Sequence, residues 1–143
     1  MQAVIIEKNR MLHERHTILL VDDETDILTF LGYNLIKEGF RVLFASNGRD
    51  AIETAQKFHP NLILLDVMMP ELDGIETCQR IRNIPELSDT IIAFLSARSQ
   101  MHAQMAGYDA GGDDYICKPI QLKELVKRIK NLLNNKINLA TSN

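Results

Sequence analysis

The chain has 143 residues, 45% hydrophobic and 24% charged, which suits one soluble domain with its own core. A formal net charge of -3 argues against nucleic-acid binding through a broad basic surface. The apolar start, Ala3-Val4-Ile5-Ile6, is far shorter than a signal-peptide core or a membrane span, so the expectation is a cytoplasmic protein with no membrane contact.

Residues 1–16 are mixed and charged, with no sustained period, and read as a flexible N-terminal extension. Met11 is a candidate alternative start. From Thr17 the pattern becomes regular. Thr17-Ile18-Leu19-Leu20-Val21 is a continuous apolar run of strand length, which suits a strand buried on both faces of a parallel sheet. It ends in Asp22-Asp23-Glu24. Ile27, Leu28, Leu31 and Leu35 then share one helical face, with Thr25 or Asp26 as cap and Gly39 as terminator.

Residues 41–45 predict a second strand. Ala51, Ile52, Ala55 and Phe58 predict a helix stopped by Pro60. Residues 61–65 predict a third apolar strand, again closed by an acid, Asp66. A helix follows Gly74 through Ile75, Cys78 and Ile81 or Arg82. Residues 91–95 predict a fourth strand ending at Ser96, and residues 100–107 a weakly patterned helix. Tyr115-Ile116-Cys117 is a short fifth strand before Lys118-Pro119. Leu122, Leu125, Val126, Ile129, Leu132 and Leu133 trace the clearest amphipathic helix. From residue 134 the sequence is polar and reads as a tail or the start of a linker. Five alternating strand–helix units imply a parallel sheet with helices on both faces.

The unusual polar residues fall together. Asp22, Asp23, Asp66, Ser96 and Lys118 all follow predicted parallel strands, the edge at which open α/β sheets bind ligands. Three close carboxylates repel one another, and a divalent cation removes the repulsion. Oxygen-only ligands favour a hard ion such as Mg2+, which takes few protein carboxylates directly. One carboxylate is then free to attack phosphorus, with Lys118 and Ser96 supplying charge and a hydrogen bond.

Taken singly, each residue also has a plain reading. Asp22 and Asp23 suit helix caps, Asp66 and Ser96 suit turns, and Lys118 suits a solvated surface. Cys78 and Cys117 lack metal-ligand spacing and read as reduced thiols. His13, His16, His59 and His102 are widely spaced and read as surface residues. Met68-Met69 reads as loop packing.

Four segments together resemble the receiver domain of two-component response regulators. They are Ile18-Leu19-Leu20-Val21-Asp22-Asp23-Glu24, the run from Leu64 through Asp66, Met68, Pro70 and Asp73 to Gly74, Leu95-Ser96-Ala97, and Asp113-Asp114-Tyr115-Ile116-Cys117-Lys118-Pro119. The resemblance spans residues 17–133. It implies an α/β, flavodoxin-like, doubly wound sheet of order 2-1-3-4-5. It implies that Asp66 accepts a phosphoryl group from a sensor histidine kinase or phosphotransfer protein. Asp23, Asp66 and the backbone carbonyl of Met68 would bind Mg2+ directly, and Asp22 through a metal-bound water. Ser96 and Lys118 would contact the phosphoryl group. Tyr115 would be the aromatic switch that turns inward when Ser96 moves, with ordinary packing as its alternative. The Lys118-Pro119 bond would be cis.

Some positions depart from the commonest pattern. Ser96 stands for the more frequent Thr, Ile120 for Phe, and Met68 and Arg98 occupy variable positions. Asp109, Asp114, Arg128 and Lys130 resemble dimer-face charges of winged-helix DNA-binding regulators, although Gln104 stands where a basic residue is expected. Exposed charges of little energetic weight are the alternative reading of those four. The sequence stops about ten residues after the last predicted helix, without room for a DNA-binding module, so it reads either as a stand-alone receiver or as the receiver part of a longer winged-helix transcription regulator, and no direct nucleic-acid contact by these residues is expected. An aspartyl-phosphate hydrolase would carry a second acid where Met68 stands. A flavin carrier would need a Ser/Gly-rich phosphate loop where Asp22-Asp23-Glu24 stands. A receiver used only for docking is the remaining rival.

Overall fold

The structure, a computed structural model, describes residues 16–141, of which 137–141 are described by backbone alone. The expected flexible extension and the alternative start at Met11 lie outside the described residues, His16 excepted. The strands are β1 (Thr17–Val21), β2 (Arg41–Ala45), β3 (Leu62–Leu65), β4 (Ile91–Ser96) and β5 (Asp114–Cys117). The helices are α1 (Thr25–Lys37), α2 (Gly48–Phe58), α3 (Gly74–Arg82), α4 (Met101–Asp109) and α5 (Leu122–Thr141). All strand pairs are parallel and the order is β2-β1-β3-β4-β5, as the alternating pattern and the resemblance implied.

Alternation along the central strands feeds two cores. Ile18, Leu20, Leu62, Leu64, Ala93 and Leu95 meet α1 and α5 on one face. Leu19, Val21, Ile63, Leu65, Ile92 and Phe94 meet α2, α3 and α4 on the other. Both sets are buried, which is why the strands read as unbroken apolar runs. Each fully buried Leu or Ile contributes about 2 kcal/mol of transfer free energy.

Helix ends follow local chemistry. Asn47 Oδ1 accepts from the Asp50 N–H at 2.8 Å at the start of α2, and Asp73 Oδ1 accepts from the Glu76 N–H at 2.9 Å at the start of α3. Gly39, with φ 97, follows the end of α1 as expected. The expected cap at Thr25 or Asp26 is corrected: Glu24 is the cap residue and makes no side-chain cap bond. Asp22 Oδ1 instead accepts from the Glu24 N–H at 2.9 Å, so the turn before α1 is fixed by the site itself.

Two elements differ from expectation. A 3-10 turn at Pro85–Leu87 inserts the buried Leu87 under α3. The helix expected to end at Leu133 runs to Thr141, through the segment read as a polar tail. Once a helix is nucleated, each Asn costs only a few tenths of a kcal/mol, so Asn134 and Asn135 do not stop it. No helix among the described residues is long and apolar enough to cross a membrane.

Candidate functional site

Sheet hydrogen bonding continues past the apolar runs and holds the polar residues at the strand ends. Asp22 N–H donates to the Ala45 carbonyl at 3.2 Å, Asp66 N–H to the Val21 carbonyl at 3.0 Å, and Lys118 N–H to the Ser96 carbonyl at 2.8 Å. The backbones of Asp22, Asp66, Ser96 and Lys118 are therefore held by the sheet. Oxygens of Asp22, Asp23 and Asp66 lie within 4.8 Å of one another. Asp22 and Asp66 are buried, while Asp23 is exposed.

The Lys118 ammonium reaches into this cluster. Its Nζ lies 3.1 Å from Asp22 Oδ2 and 4.0 Å from Asp66 Oδ2. One cation facing three carboxylates leaves negative charge uncompensated. Burial pushes the Asp66 carboxyl up from 3.8 to about 6. Lys118 and the Met68 N–H, which reaches Asp66 Oδ1 at 3.4 Å, pull the other way, while Asp22 and Asp23 add to the rise. An oxygen-only donor set with excess negative charge fits a hard divalent cation such as Mg2+.

A second linkage runs behind the acids through the backbone of one residue. Ser96, fully buried, accepts at Oγ from the Arg98 N–H at 3.1 Å. Tyr115 donates its hydroxyl to the Arg98 carbonyl at 2.6 Å. Tyr115 is 4% exposed, so the ring already lies inward. It packs against Phe94 at 5.7 Å between centroids. A Cβ on Gly107 of α4 would come 2.9 Å from the Tyr115 ring, so α4 rests directly on it. The backbone of Arg98 thus joins Ser96 to Tyr115, a link that no side-chain motif announces. Tyr115→Phe is expected to cost about 1 kcal/mol in urea unfolding, and to speed amide exchange at the start of α4. Unchanged exchange there would show that the hydroxyl bond does not hold the loop.

The Lys118-Pro119 bond is cis, as the resemblance implied. A groove of about 550 Å3 runs from Asp23 and Met68 past Arg98 to His102 on α4. His102 is exposed, as read from the sequence, yet it lines the wall beside the acids. Cys78 and Cys117 form no disulfide, and burial pushes the Cys78 thiol up to about 11, which keeps it unreactive.

Three of the four expected dimer-face charges pair within the chain. Arg128 donates to Asp114 at 2.5 and 3.2 Å, and Lys130 lies 3.0 Å from Glu38. Asp109 is exposed at the end of α4, which also exposes Met101, Met105 and Tyr108. A residue set missed in the sequence centres on Arg82. Its guanidinium donates to the carbonyls of Gly111 and Thr90 at 2.9 and 2.6 Å and to Asp113 at 2.8 Å. It ties α3 to the entries of β4 and β5.

A family model for the response regulator receiver domain matches residues 18–130. The chain is 41% identical over 116 residues to the alkaline phosphatase synthesis transcriptional regulatory protein PhoP of Bacillus subtilis, covering 81% of this chain and 48% of that protein. It is 41% identical over 125 residues to the transcriptional regulatory protein PrrA of Mycobacterium tuberculosis, covering 87% and 53%. The chain thus spans about half the length of these relatives. A CheY-like response regulator receiver domain protein from Methanospirillum hungatei superposes with a TM-score of 0.81 at 25% identity, covering 86% of this chain and 97% of that one. With the sheet order and the acidic strand ends already in view, these likenesses assign the chain to the response regulator receiver domains of two-component systems.

Proposed function

We propose that Asp66 is the phosphoacceptor, supplied by a sensor histidine kinase or a phosphotransfer protein. The observation that carries this is a buried carboxylate held at a strand end between two further acids and Lys118. A carboxylate oxygen of Asp66 attacks the phosphorus of a phosphohistidine. The P–N bond breaks, its electron pair leaves with the imidazole, and an acyl phosphate remains on Asp66. A carboxyl titrating near 6 is mostly ionised at pH 7, as the attack requires. Asp23, Asp66 and the Met68 carbonyl would hold Mg2+, with Asp22 one step further out. The ion supplies charge neutralisation for the phosphoryl oxygens. Lys118 pairs with those oxygens, and the Ser96 hydroxyl donates to them.

The switch follows from the Arg98 backbone. Ser96 turning toward a phosphoryl group gives up the Arg98 N–H, and the Arg98 carbonyl is the partner of Tyr115. The loop before α4 then has two arrangements, and phosphorylation biases the equilibrium between them. The chain works as a signalling switch, catalysing only its own phosphorylation and dephosphorylation in the cytoplasm. Its changed surface is read by a partner or a second copy. On that reading the exposed Met101, Met105 and Tyr108 share α4 with Asp109, and Asp114, Arg128 and Lys130 are the remaining charges of the face. A dimer through them would exchange the in-chain Asp114–Arg128 pair for an equivalent contact.

The test is intact-protein mass spectrometry after incubation with Mg2+ and acetyl phosphate. A Mg2+-dependent gain of one phosphoryl mass, lost in Asp66→Asn, is the expected result. Folded protein that gains no mass and fails to bind fluoroberyllate would be a docking module instead.

A further inference from the structure

β2 and β5 are the two edges of the sheet. β2 pairs with β1 alone, and its other side meets no strand among the described residues. The Arg41 N–H donates to the His16 carbonyl at 3.1 Å, and the Ala45 carbonyl accepts from the Asp22 N–H at 3.2 Å. Backbone groups alternate in direction along a strand, so Arg41, Leu43 and Ala45 face β1. Val42 and Phe44 therefore turn their N–H and C=O groups off the edge, and such a row is a template for another strand. β2 contains no proline, and its one charged residue is Arg41, at its start.

Apolar side chains flank the same edge. Phe44 is half exposed and lies against α1, where a Cβ on Gly32 would come 2.5 Å from its ring. Thr29, Gly32, Tyr33 and Ile36 form one i, i+3, i+4, i+7 stripe of α1, on which Tyr33 and Ile36 are exposed. Charge is divided between the ends of the edge. Arg41 is exposed at one end. At the other, a hollow of about 340 Å3 is lined by Phe44, Ala45, Asp50 and Glu53, and both acids are exposed.

We propose that this edge pairs with the same edge of a second copy, β2 against β2, antiparallel about a two-fold axis at Leu43. That register sets Val42 opposite Phe44 of the second copy, and both carry outward backbone groups. Each such pair exchanges both N–H···O bonds, and the symmetry makes the pair twice. The axis is perpendicular to the sheet, so both α1 helices lie on the same face. Their stripes meet across the axis and cover Tyr33, Ile36 and Phe44 of both copies. Arg41 falls opposite Ala45 of the second copy, at the mouth of the hollow that holds Asp50 and Glu53. A parallel arrangement would instead set like ends together, Arg41 beside Arg41, which is unfavourable. The pairing uses none of Ser96, Arg98 and Tyr115, so it needs no phosphorylation. It also lies across the sheet from β5, apart from the face that carries the switch.

Sedimentation velocity and NMR amide exchange on the full, unphosphorylated chain, from micromolar to millimolar concentration, test this. The expected result is a reversible dimer whose Val42 and Phe44 amides exchange at least about tenfold more slowly at the high end. Leu43 and Ala45 stay protected throughout. That reading needs no variant. Phe44→Lys puts a charge on the edge and is expected to abolish the dimer. Arg41→Glu is expected to weaken it by about tenfold, and Arg41→Glu combined with Glu53→Arg to restore it. Protected Leu43 and Ala45 amides report that each variant is folded. A chain that stays monomeric at millimolar concentration would overturn the proposal. So would Val42 and Phe44 exchange that ignores concentration, which would mean that the edge is open or is covered within one chain. A dimer that survives Phe44→Lys would assign association to another face, and failure of the charge exchange to restore pairing would rule out this register.

Discussion

Asp66→Asn makes the metal-free chain more stable at neutral pH, by about 2 to 3 kcal/mol. The reason is the cost of ionising a buried carboxyl beside two others. Its pKa is about 6 in the folded chain against 3.8 without those surroundings. Between these values the folded state keeps a proton that the unfolded state has released. Stability therefore falls as pH rises through that window, and the loss is complete above it. Below pH 3.8 both states are protonated and the penalty vanishes. Asparagine keeps the shape and never ionises, so the variant lacks this component of the pH dependence. Mg2+ narrows the gap: at one hundred times its dissociation constant it stabilises the unaltered chain by about 2.7 kcal/mol, and the variant by less, since it has lost a carboxylate. Urea unfolding in chelator at pH 4, 5, 6 and 7, repeated at pH 7 with Mg2+, reads both effects. A variant no more stable than the parent at pH 7 in chelator would mean that water or Lys118 already relieves the charge.

Much of the fold and of the site is legible in the sequence, for a physical reason. Strands buried on both faces rarely carry charged residues, so Asp22, Asp66 and Lys118 stand out where apolar runs stop. The five strand–helix units and the acidic edge emerge from that contrast alone. The features that are not legible are carried by backbone or by long range. Arg98 contributes its peptide N–H and C=O to Ser96 and Tyr115, and its side-chain type says nothing about that. Arg82 enters the sequence reading only as an alternative to Ile81 along the predicted helix, yet it closes carbonyls from segments distant in sequence. Asp114 and Arg128 read either as dimer-face charges or as exposed ones, because sequence shows charge but not that the two pair within the chain. The end of α5 escapes the pattern because the apolar stripe reports burial, whereas Asn134 and Asn135 are exposed and the helix continues through them on propensity.

Gly74→Ala is expected to be the most damaging small substitution at the site. Gly74 opens α3, and its N–H donates to the Val67 carbonyl at 2.9 Å. A Cβ there would meet the Asp66 carbonyl oxygen and come 2.8 Å from Asp66 C and Val67 Cα. These are backbone atoms at the end of the central strand, so no side chain can swing aside. Either α3 moves off the sheet or the Asp66 peptide moves. Moving α3 unpacks Cys78 and Ile81 from the core, and moving the peptide shifts the phosphoacceptor out of the carboxylate cluster. We expect a loss of about 3 kcal/mol, at the upper end for overpacking, and loss of the acetyl phosphate mass gain even where the chain remains folded. Gly32→Ala is the contrasting case. Its Cβ would meet only the outer atoms of the half-exposed Phe44 ring, which can turn away. The gain in helix propensity, about 1 kcal/mol, offsets that displacement. Urea unfolding of the two variants side by side, with phosphorylation measured on each, separates lack of space at backbone from lack of space at side chain. Equal small costs with normal phosphorylation in both would show that the loop after β3 has slack, and that Asp66 is positioned by something other than the close approach of α3.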